Sequence, residues 1–112
     1  MSDPFLIRAH VPAWDDCVAD YKAASALTRK VHANRRTVAY GPAADEKLDL
    51  YVPGPVSRAG RPVHLFIHGG YWRAFSKDDY AFMADTVAAA GAIAAVMDYT
   101  LMPNVRMETL VT

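Results

Sequence analysis

Two adjacent glycines, Gly69 and Gly70, follow His68 and precede Tyr71 and Trp72. Glycine has no Cβ, so the chain can turn tightly at this point and bring bare backbone N–H groups close to a ligand. Acyl-transfer chemistry needs such donors, because negative charge develops on a carbonyl oxygen when a nucleophile attacks it. The motif therefore predicts a turn that is suited to binding an oxyanion.

The sequence offers no nucleophile to accompany this turn, since Gly-x-Ser-x-Gly does not occur in the 112 residues. Ser57 lies in a Gly/Pro-rich loop and lacks the preceding strand and following helix that a nucleophile elbow requires. Ser76 is explained as a helix cap, and Cys17 as a small buried residue on a helix. Phosphate-binding glycine motifs are absent as well, and the bulky Tyr71 and Trp72 disfavour a flavodoxin-like domain.

His64 and His68 are four residues apart, a spacing that could chelate a metal on a helix. On a strand, at ~3.3 Å per residue, the same spacing separates the two imidazoles by roughly 13 Å. No further cluster of ligand residues accompanies them, so we expect neither a metal nor a cofactor. We expect His64 to be a partly buried strand residue, and His68 to brace the glycine turn through a ring hydrogen bond to the loop backbone.

The glycine turn is predicted to lie between a strand and a helix. Residues 63–67 are almost all apolar, as in the strands of parallel sheets that are covered on both faces. From Ser76, which forms a capping box with Asp79, the pattern predicts an amphipathic helix that ends at Gly91. A further strand over residues 92–97 completes a βαβ unit with parallel strands and a right-handed crossover.

Two pairs of residues follow these two strands directly. Gly69 and Gly70 come after the first strand, and Asp98 and Tyr99 after the second. Ligands of open α/β sheets bind beyond the carboxyl ends of the strands. We therefore expect the two pairs to face each other across a site.

The preceding part of the chain predicts a helix and a hairpin. Residues 12–33 repeat apolar and small side chains at spacings of three and four, which predicts a helix that packs on the domain or, alternatively, caps a pocket. The repeating face consists of Trp14, Cys17, Val18, Tyr21, Ser25 and Thr28. Residues 36–40 and 47–52 predict an antiparallel hairpin. Asn104 is expected to cap a last helix.

The composition indicates one globular domain without a charged partner. Twelve basic and twelve acidic residues give a formal net charge of zero, which provides no electrostatic argument for nucleic acid or an anionic membrane. Cys17 is the only cysteine, so an internal disulfide is excluded and a reducing compartment is favoured. The N-terminus lacks the features of a signal peptide, and no apolar stretch approaches the ~20 residues that span a bilayer. We therefore expect a cytoplasmic protein.

Taken together, these motifs resemble the α/β-hydrolase superfamily. The resemblance is carried by the strand–turn–helix segment with His68-Gly69-Gly70-Tyr71-Trp72, and by Asp98-Tyr99-Thr100-Leu101-Met102-Pro103 at the end of the next strand. The His-Gly-Gly-x-Trp form is similar to that of the kynurenine formamidase (arylformamidase) and esterase branch. Leu48-Asp49-Leu50-Tyr51-Val52-Pro53 also resembles the second strand of these enzymes.

The resemblance implies an α/β fold and the beginning of a site. It spans about residues 12–112 and implies a single incomplete domain over residues 1–112, with an N-terminal helical segment (1–33) and the start of the sheet core (34–112). The backbone amides of Gly69, Gly70 and Tyr71 would supply the loop's part of an oxyanion hole. Trp72 would line the site or, alternatively, wedge the loop onto the helix.

The catalytic triad of such an enzyme is not matched in this sequence. The serine nucleophile, the acid and the histidine would lie beyond Thr112. The four histidines match none of the family's late catalytic positions; they are His10, His32, His64 and His68. We therefore expect the bare chain to be inactive.

The implied function is hydrolysis of a small carboxylic ester or an aryl formamide, such as N-formylkynurenine, by a serine hydrolase of which this chain carries the oxyanion loop. The alternative is a non-catalytic, truncated α/β module that serves as a binding partner. In the superfamily, the strand at residues 63–67 lies between the strand at residues 92–97 and the one that carries the nucleophile. An open apolar edge is therefore expected, through which the chain could pair with another copy or a partner.

Overall fold

The computed structural model describes residues 3–33, 35–54 and 60–112, so Ser57 lies outside the described residues. Three α-helices and four strands occur in this part of the chain: α1 (Trp14–Val31), β1 (Arg36–Ala39), β2 (Lys47–Tyr51), β3 (Val63–Ile67), α2 (Ala84–Ala89), β4 (Ile93–Met97) and α3 (Met107–Leu110). Short 3-10 turns precede α1 (Ile7–His10) and α2 (Lys77–Asp79 and Ala81–Met83).

The strands form one mixed sheet in the order β1-β2-β4-β3. β1 and β2 pair antiparallel, with Val38 opposite Leu48, which confirms the predicted hairpin. β3 and β4 pair parallel, with Ile67 opposite Met97, which confirms the parallel βαβ unit. The carboxyl ends of β3 and β4 therefore lie side by side, and the segments that follow them are neighbours.

The edge position of β3 corrects one expectation. Val63, Leu65 and Ile67 are 61%, 52% and 60% exposed, so β3 is not covered on both faces within the described residues. His64 is likewise exposed rather than partly buried. These three side chains share the face of the sheet opposite the core, and that face is uncovered at β3. In addition, β3 is an edge strand, because only β4 pairs with it in the part of the chain that the structure describes. The expected open apolar edge is present.

The opposite face of the sheet carries the core. Tyr51, Ala81, Ala84, Ala94 and Val96 are buried together. Apolar burial contributes roughly 25 cal/mol per Å², so this small cluster supplies much of the drive to pack the crossover segment on the sheet.

The helix α1 lies within the predicted range of residues 12–33 and packs on the crossover segment, but the expected burial of Cys17 is wrong. Its buried residues are Ser25 and Thr28, whereas Cys17 is exposed. Thr28 Oγ1 donates a hydrogen bond to Asp85 Oδ2 at 2.7 Å, at the start of α2. Small polar side chains therefore attach this helix, because they can satisfy polar groups of the crossover segment at close range.

The crossover helix predicted from Ser76 to Gly91 is wrong in its first half. The capping box between Ser76 and Asp79 is present, but it opens a 3-10 turn, and only α2 is α-helical. Ser25 Oγ donates to the Asp79 carbonyl (2.8 Å) and accepts from the Phe82 N–H (3.2 Å). In an α-helix these two backbone groups would form hydrogen bonds with other backbone groups of the helix. The Ser25 hydroxyl replaces those hydrogen bonds at this point.

The end of the chain also differs from expectation. Asn104 does not cap a helix; α3 begins at Met107 with Arg106 as its N-cap. Gly91, which follows α2, has a φ of 84° and marks the predicted end of the crossover.

Candidate functional site

The loop that leaves β3 makes its turn at Gly70, and only glycine fits there. Gly70 has a φ of +124°, and a Cβ at this position would lie 2.3 Å from the Ala74 carbonyl oxygen. Its own carbonyl oxygen accepts hydrogen bonds from the N–H groups of Arg73 and Ala74, both at 3.1 Å. Gly69 differs, because open space surrounds its Cα. The loop is therefore built around one obligatory glycine.

Three bulky residues of the loop have a left-handed backbone. Tyr71, Trp72 and Phe75 have φ values of 57°, 58° and 72°. Each such residue costs roughly 1–2 kcal/mol, since its Cβ crowds a neighbouring carbonyl. Strain of this kind persists where the surrounding structure enforces it, and it is concentrated at functional sites.

The N–H groups of Gly69, Gly70 and Tyr71 are the donors that the sequence resemblance assigns to an oxyanion hole. Among the described residues, none of these three donors makes a hydrogen bond to a loop carbonyl or to a side chain. Gly69 and Tyr71 are exposed residues and Gly70 is half-buried. Three neighbouring unpaired donors at the carboxyl end of a strand can therefore stabilise a negatively charged oxygen.

His68, which precedes the glycines, is buried and contacts the loop backbone. Its Nδ1 lies 2.7 Å from the Gly69 carbonyl oxygen. Its ring is parallel to the ring of Tyr99 within 13°, with 4.5 Å between centroids. Its Nε2 is enclosed and has no hydrogen-bond partner among the described residues, and it lies 3.9 Å from Asp98 Oδ1.

Asp98 and Tyr99 face the loop from the end of β4. Tyr99 Oη donates to the His68 carbonyl oxygen at 2.9 Å. Asp98 Oδ1 accepts from the Lys77 N–H at 2.5 Å. Burial raises the pKa of the Asp98 carboxyl, and the Lys77 N–H and the charges of Lys77 and His68 act in the opposite direction. The segments that follow β3 and β4 thus contact each other through His68 and Tyr99 at the carboxyl ends of the two strands.

Lys77, whose backbone N–H binds Asp98, also belongs to a buried cluster of charged residues that the sequence reasoning missed. Asp49 is buried on β2 and accepts hydrogen bonds from Thr37 Oγ1 (2.6 Å) and Lys77 Nζ (3.1 Å). Burial acts to lower the pKa of Lys77, but its hydrogen bonds to Asp49 and Asp78 outweigh that effect and raise it. The signal that could have revealed the cluster is an aspartate in the middle of an otherwise apolar strand.

An aromatic cleft of about 740 Å³ adjoins the loop. Its lining includes Phe5, Trp14, Gly70, Tyr71 and Phe75. The sequence reasoning did not assign Phe5 or Phe75 to the site. The rings of Trp14 and Phe75 lie near each other in this cleft, with 6.4 Å between their centroids.

Trp72 lies beside this cleft rather than among its lining residues. Its side chain is 44% exposed, and that of Tyr71 is 76% exposed. The Trp72 carbonyl oxygen accepts from the Met102 N–H at 2.8 Å, which joins the loop to the segment after β4. An exposed indole at this place can contact an aromatic group of a bound molecule.

The described residues also bear on two other classes of site. No group of three or more His, Cys, Asp and Glu side chains that could hold a metal ion occurs in residues 3–33, 35–54 and 60–112. Within the same ranges, no helix is long and apolar enough to cross a bilayer.

Comparison with known proteins relates the chain to hydrolases. Kynurenine formamidase from Danio rerio is 35% identical over all 112 residues, which correspond to 36% of that protein. A protein described as a thioesterase from Silicibacter superposes with a TM-score of 0.80 at 28% identity, over 92% of this chain and 39% of the other. Esterase B from Lactobacillus rhamnosis superposes with a TM-score of 0.61 at 23% identity, over 83% and 36%, which shows the fold alone. No protein-family model matches the sequence.

These relatives establish the class of fold. The mixed sheet with its N-terminal helix matches part of the α/β-hydrolase fold, and the chain has a homologue named kynurenine formamidase. The chain spans about a third of the length of the curated relative that it matches.

Proposed function

We propose, from its α/β-hydrolase fold and its relationship to kynurenine formamidase, that this chain supplies the oxyanion-binding half of a serine hydrolase site. The reaction is hydrolysis of a small carboxylic ester or an aryl formamide. Attack by a serine creates negative charge on the carbonyl oxygen, and the amides of Gly69, Gly70 and Tyr71 bind that charge.

The observation that carries the proposal is the set of three unpaired N–H groups beside a glycine that no other residue can replace. Preorganised donors of this kind need no rearrangement when charge develops, and each contributes about 10²–10³ in rate. The left-handed backbone of Tyr71 and Trp72 supports the same conclusion, because such a backbone persists only where other interactions, here the hydrogen bonds of the loop, hold one conformation.

The aromatic surroundings support an aryl substrate. The cleft beside the loop is lined by Trp14, Tyr71 and Phe75, and Trp72 lies exposed next to it. Aromatic rings stack favourably on one another in offset or tilted geometry. N-formylkynurenine, whose hydrolysis the name of the relative indicates, carries such a ring.

Hydrolysis also needs a nucleophile and a base, and the 112 residues hold no Gly-x-Ser-x-Gly. An oxyanion hole without those groups retains only a small part of the rate enhancement. The purified chain should therefore turn over p-nitrophenyl acetate and N-formylkynurenine at the background rate. Robust turnover that a serine-directed phosphonate titrates would overturn this part of the proposal.

A second candidate function is that of a non-catalytic binding module, which the exposed Val63, Leu65 and Ile67 on the edge of the sheet favour. An open apolar edge is a template for pairing with another chain, such as a second copy. The coding DNA after Thr112 discriminates the two candidates. A Gly-x-Ser-x-Gly elbow followed by Asp and His, in frame, supports the hydrolase, and a stop codon without such a sequence in any frame supports the module.

The proposed compartment is the cytoplasm. Cys17, the only cysteine of the sequence, is exposed as a free thiol. Exposed free thiols persist in reducing compartments and are oxidised in secretory ones. Fractionation of the native protein tests this proposal.

A further inference from the structure

The aromatic cleft beside the loop has two walls that come from different parts of the chain. One wall is the N-terminal segment with Phe5 and Leu6, together with Trp14 at the start of α1, and the other is the loop from Gly70 to Phe75. Phe5 and Leu6 are exposed, so their apolar side chains are open to a bound molecule. The volume of about 740 Å³ lies within the range of roughly 300–1,000 Å³ that is usual for small-molecule sites. The cleft can therefore hold a molecule with an aromatic ring.

Two arginines line this cleft, and they differ in their partners. Arg8, on the N-terminal wall, pairs with Asp15 at 3.5 Å. Arg73, on the loop, makes neither an ion pair nor a side-chain hydrogen bond within residues 3–33, 35–54 and 60–112. Its side chain is exposed, so solvent can satisfy the guanidinium, and an anionic group of a bound molecule can displace that solvent. Arg73 is therefore an available positive charge beside the loop amides.

A turn of the backbone holds Arg73 close to the proposed oxyanion donors. The Arg73 N–H donates a hydrogen bond to the Gly70 carbonyl oxygen at 3.1 Å. Gly70 and Arg73 are thus the first and last residues of a β-turn, whose terminal Cα atoms lie less than about 7 Å apart. Tyr71, whose N–H is another of the proposed donors, belongs to the same turn. One small molecule can therefore reach both the loop amides and Arg73.

Arg73 also lies where the aromatic cleft adjoins a second cavity. The second cavity has a volume of about 620 Å³, and its lining includes Met102, Pro103 and Arg106 as well as Arg73. Arg73 is common to the two linings. A group that binds Arg73 has space on the side away from the cleft, so it does not compete with an aromatic ring for the volume of the cleft.

The charges of the cleft favour a singly charged anionic group over a doubly charged one. Asp3, on the N-terminal wall, is an acidic residue of the same lining, and its Oδ1 accepts from the Phe5 N–H at 2.9 Å. Arg73 is the cation of this lining that has no partner among the described residues. One guanidinium balances the charge of one carboxylate, and two of its N–H groups can donate in parallel to the two carboxylate oxygens. A phosphate dianion would leave one negative charge uncompensated opposite Asp3.

We propose that Arg73 is a specificity-determining residue of the site: it binds a carboxylate carried by a substrate whose aromatic ring occupies the aromatic cleft and whose scissile carbonyl faces the loop amides. The inference rests on the proposed function for the position of that carbonyl, and it narrows the substrate class to aryl formamides or esters that carry a carboxylate. Neutral aryl substrates fill the same cleft but lack the contact with Arg73.

The experiment compares two ligands that differ by one charge, ortho-formamidobenzoate and its neutral carboxamide, ortho-formamidobenzamide. Each is titrated into the full 112-residue chain at neutral pH, and NMR follows the side-chain Nε–H of Arg73 and the backbone N–H groups of Gly70 and Tyr71. The carboxylate is expected to bind about 3- to 10-fold more tightly than the carboxamide, because the ion pair is exposed but has two parallel hydrogen bonds. Only the carboxylate should shift the Arg73 Nε–H resonance strongly.

Two variants assign the preference to one residue. Arg73→Gln should abolish the difference between the two ligands and leave the affinity for the carboxamide unchanged, since the side chain is exposed and makes no contact that the fold needs. Arg8→Gln is the matched control, because Arg8 lines the same cleft but already pairs with Asp15, and it should retain the preference. Equal affinities in the unmodified chain overturn the inference, as does a preference that survives in Arg73→Gln or is lost equally in Arg8→Gln. The absence of saturable binding by either ligand overturns it too.

The two proposals fail separately, because the titration needs neither a nucleophile nor turnover. Shifts of the Gly70 and Tyr71 N–H resonances with both ligands, without a preference for the carboxylate, count against the role of Arg73 alone. A preference that depends on Arg73, without any shift of the loop amides, counts against the proposed oxyanion site alone.

Discussion

Tyr99 holds His68 in two ways at once. Its hydroxyl donates a hydrogen bond to the His68 carbonyl oxygen at 2.9 Å, and its ring lies parallel to the imidazole with 4.5 Å between centroids. The first contact joins the end of β4 to the end of β3, and the second fixes the ring that holds the glycine turn. The sheet therefore positions the loop through side-chain contacts as well as through the backbone hydrogen bonds between β3 and β4.

Replacing Tyr99 with Phe should lower the free energy of unfolding by about 1 kcal/mol, because the ring contact remains and one hydrogen bond to a backbone carbonyl is lost. Urea denaturation measures the change. Tyr71→Phe is the matched control, since the Tyr71 side chain is 76% exposed, and it should change stability by less than about 0.5 kcal/mol. Equal effects of the two substitutions would show that the Tyr99 hydroxyl contributes nothing.

Tyr51 presents the opposite case, a buried hydroxyl without a hydrogen-bond partner among the described residues. A buried polar group that lacks a partner costs about 1–3 kcal/mol relative to an apolar one. Tyr51→Phe should therefore stabilise the chain by about 1 kcal/mol at neutral pH, as measured by urea denaturation. A loss of stability would indicate that the hydroxyl is satisfied by bound water.

The raised pKa of Tyr51 predicts that the free energy of unfolding falls at alkaline pH. Burial and, secondarily, the charge of Asp49 raise the pKa of Tyr51 from 10.0 to about 12. The folded state then holds the phenolic proton more tightly than the unfolded state, so this contribution is complete below pH 10 and is lost between pH 10 and 12. Tyr51→Phe should flatten that part of the stability profile. A profile with an unchanged slope in the variant would rule out Tyr51 as the cause.

The open edge at β3 should mediate self-association. Leu65→Lys places a charge on the exposed edge strand, which disfavours pairing with a second chain. Sedimentation velocity should show a shift toward monomer, with little loss of stability because the side chain is already half exposed. Val38→Lys is the matched control on the opposite edge strand β1, where Val38 is 41% exposed. An equal shift in the control would argue against pairing through β3.

Much of the fold was predictable from the sequence because local patterns determine it. Strand alternation and the capping box at Ser76 depend on neighbouring residues, and parallel pairing of β3 with β4 follows from chain connectivity. The broken crossover helix was not predictable, because Ser25, which interrupts its hydrogen bonds, comes from more than fifty residues away. The burial of Asp49 depends in the same way on Lys77, a distant partner.

The candidate site likewise has one part that the sequence predicts and another that depends on distant contacts. The glycine turn could be located from residue types alone, since only glycine combines a tight turn with bare amides. The left-handed backbone of Tyr71 and Trp72 could not, because both residues normally avoid it and only hydrogen bonds of the loop, including that from Met102, hold it. The contact between His68 and Asp98 likewise depends on the register of two strands.

The central claim is that the loop amides bind the oxyanion of a formamide or ester substrate. Its most direct test is a chimera in which these 112 residues replace the matching segment of the Danio rerio kynurenine formamidase. The chimera is expected to hydrolyse N-formylkynurenine, and Gly70→Ala within it should lower kcat/KM by about 10²–10³. Gly91→Ala, which places a Cβ at another positive φ but in open space, controls for backbone strain away from the loop. A folded chimera in which Gly70→Ala and Gly91→Ala retain the same kcat/KM would contradict the account.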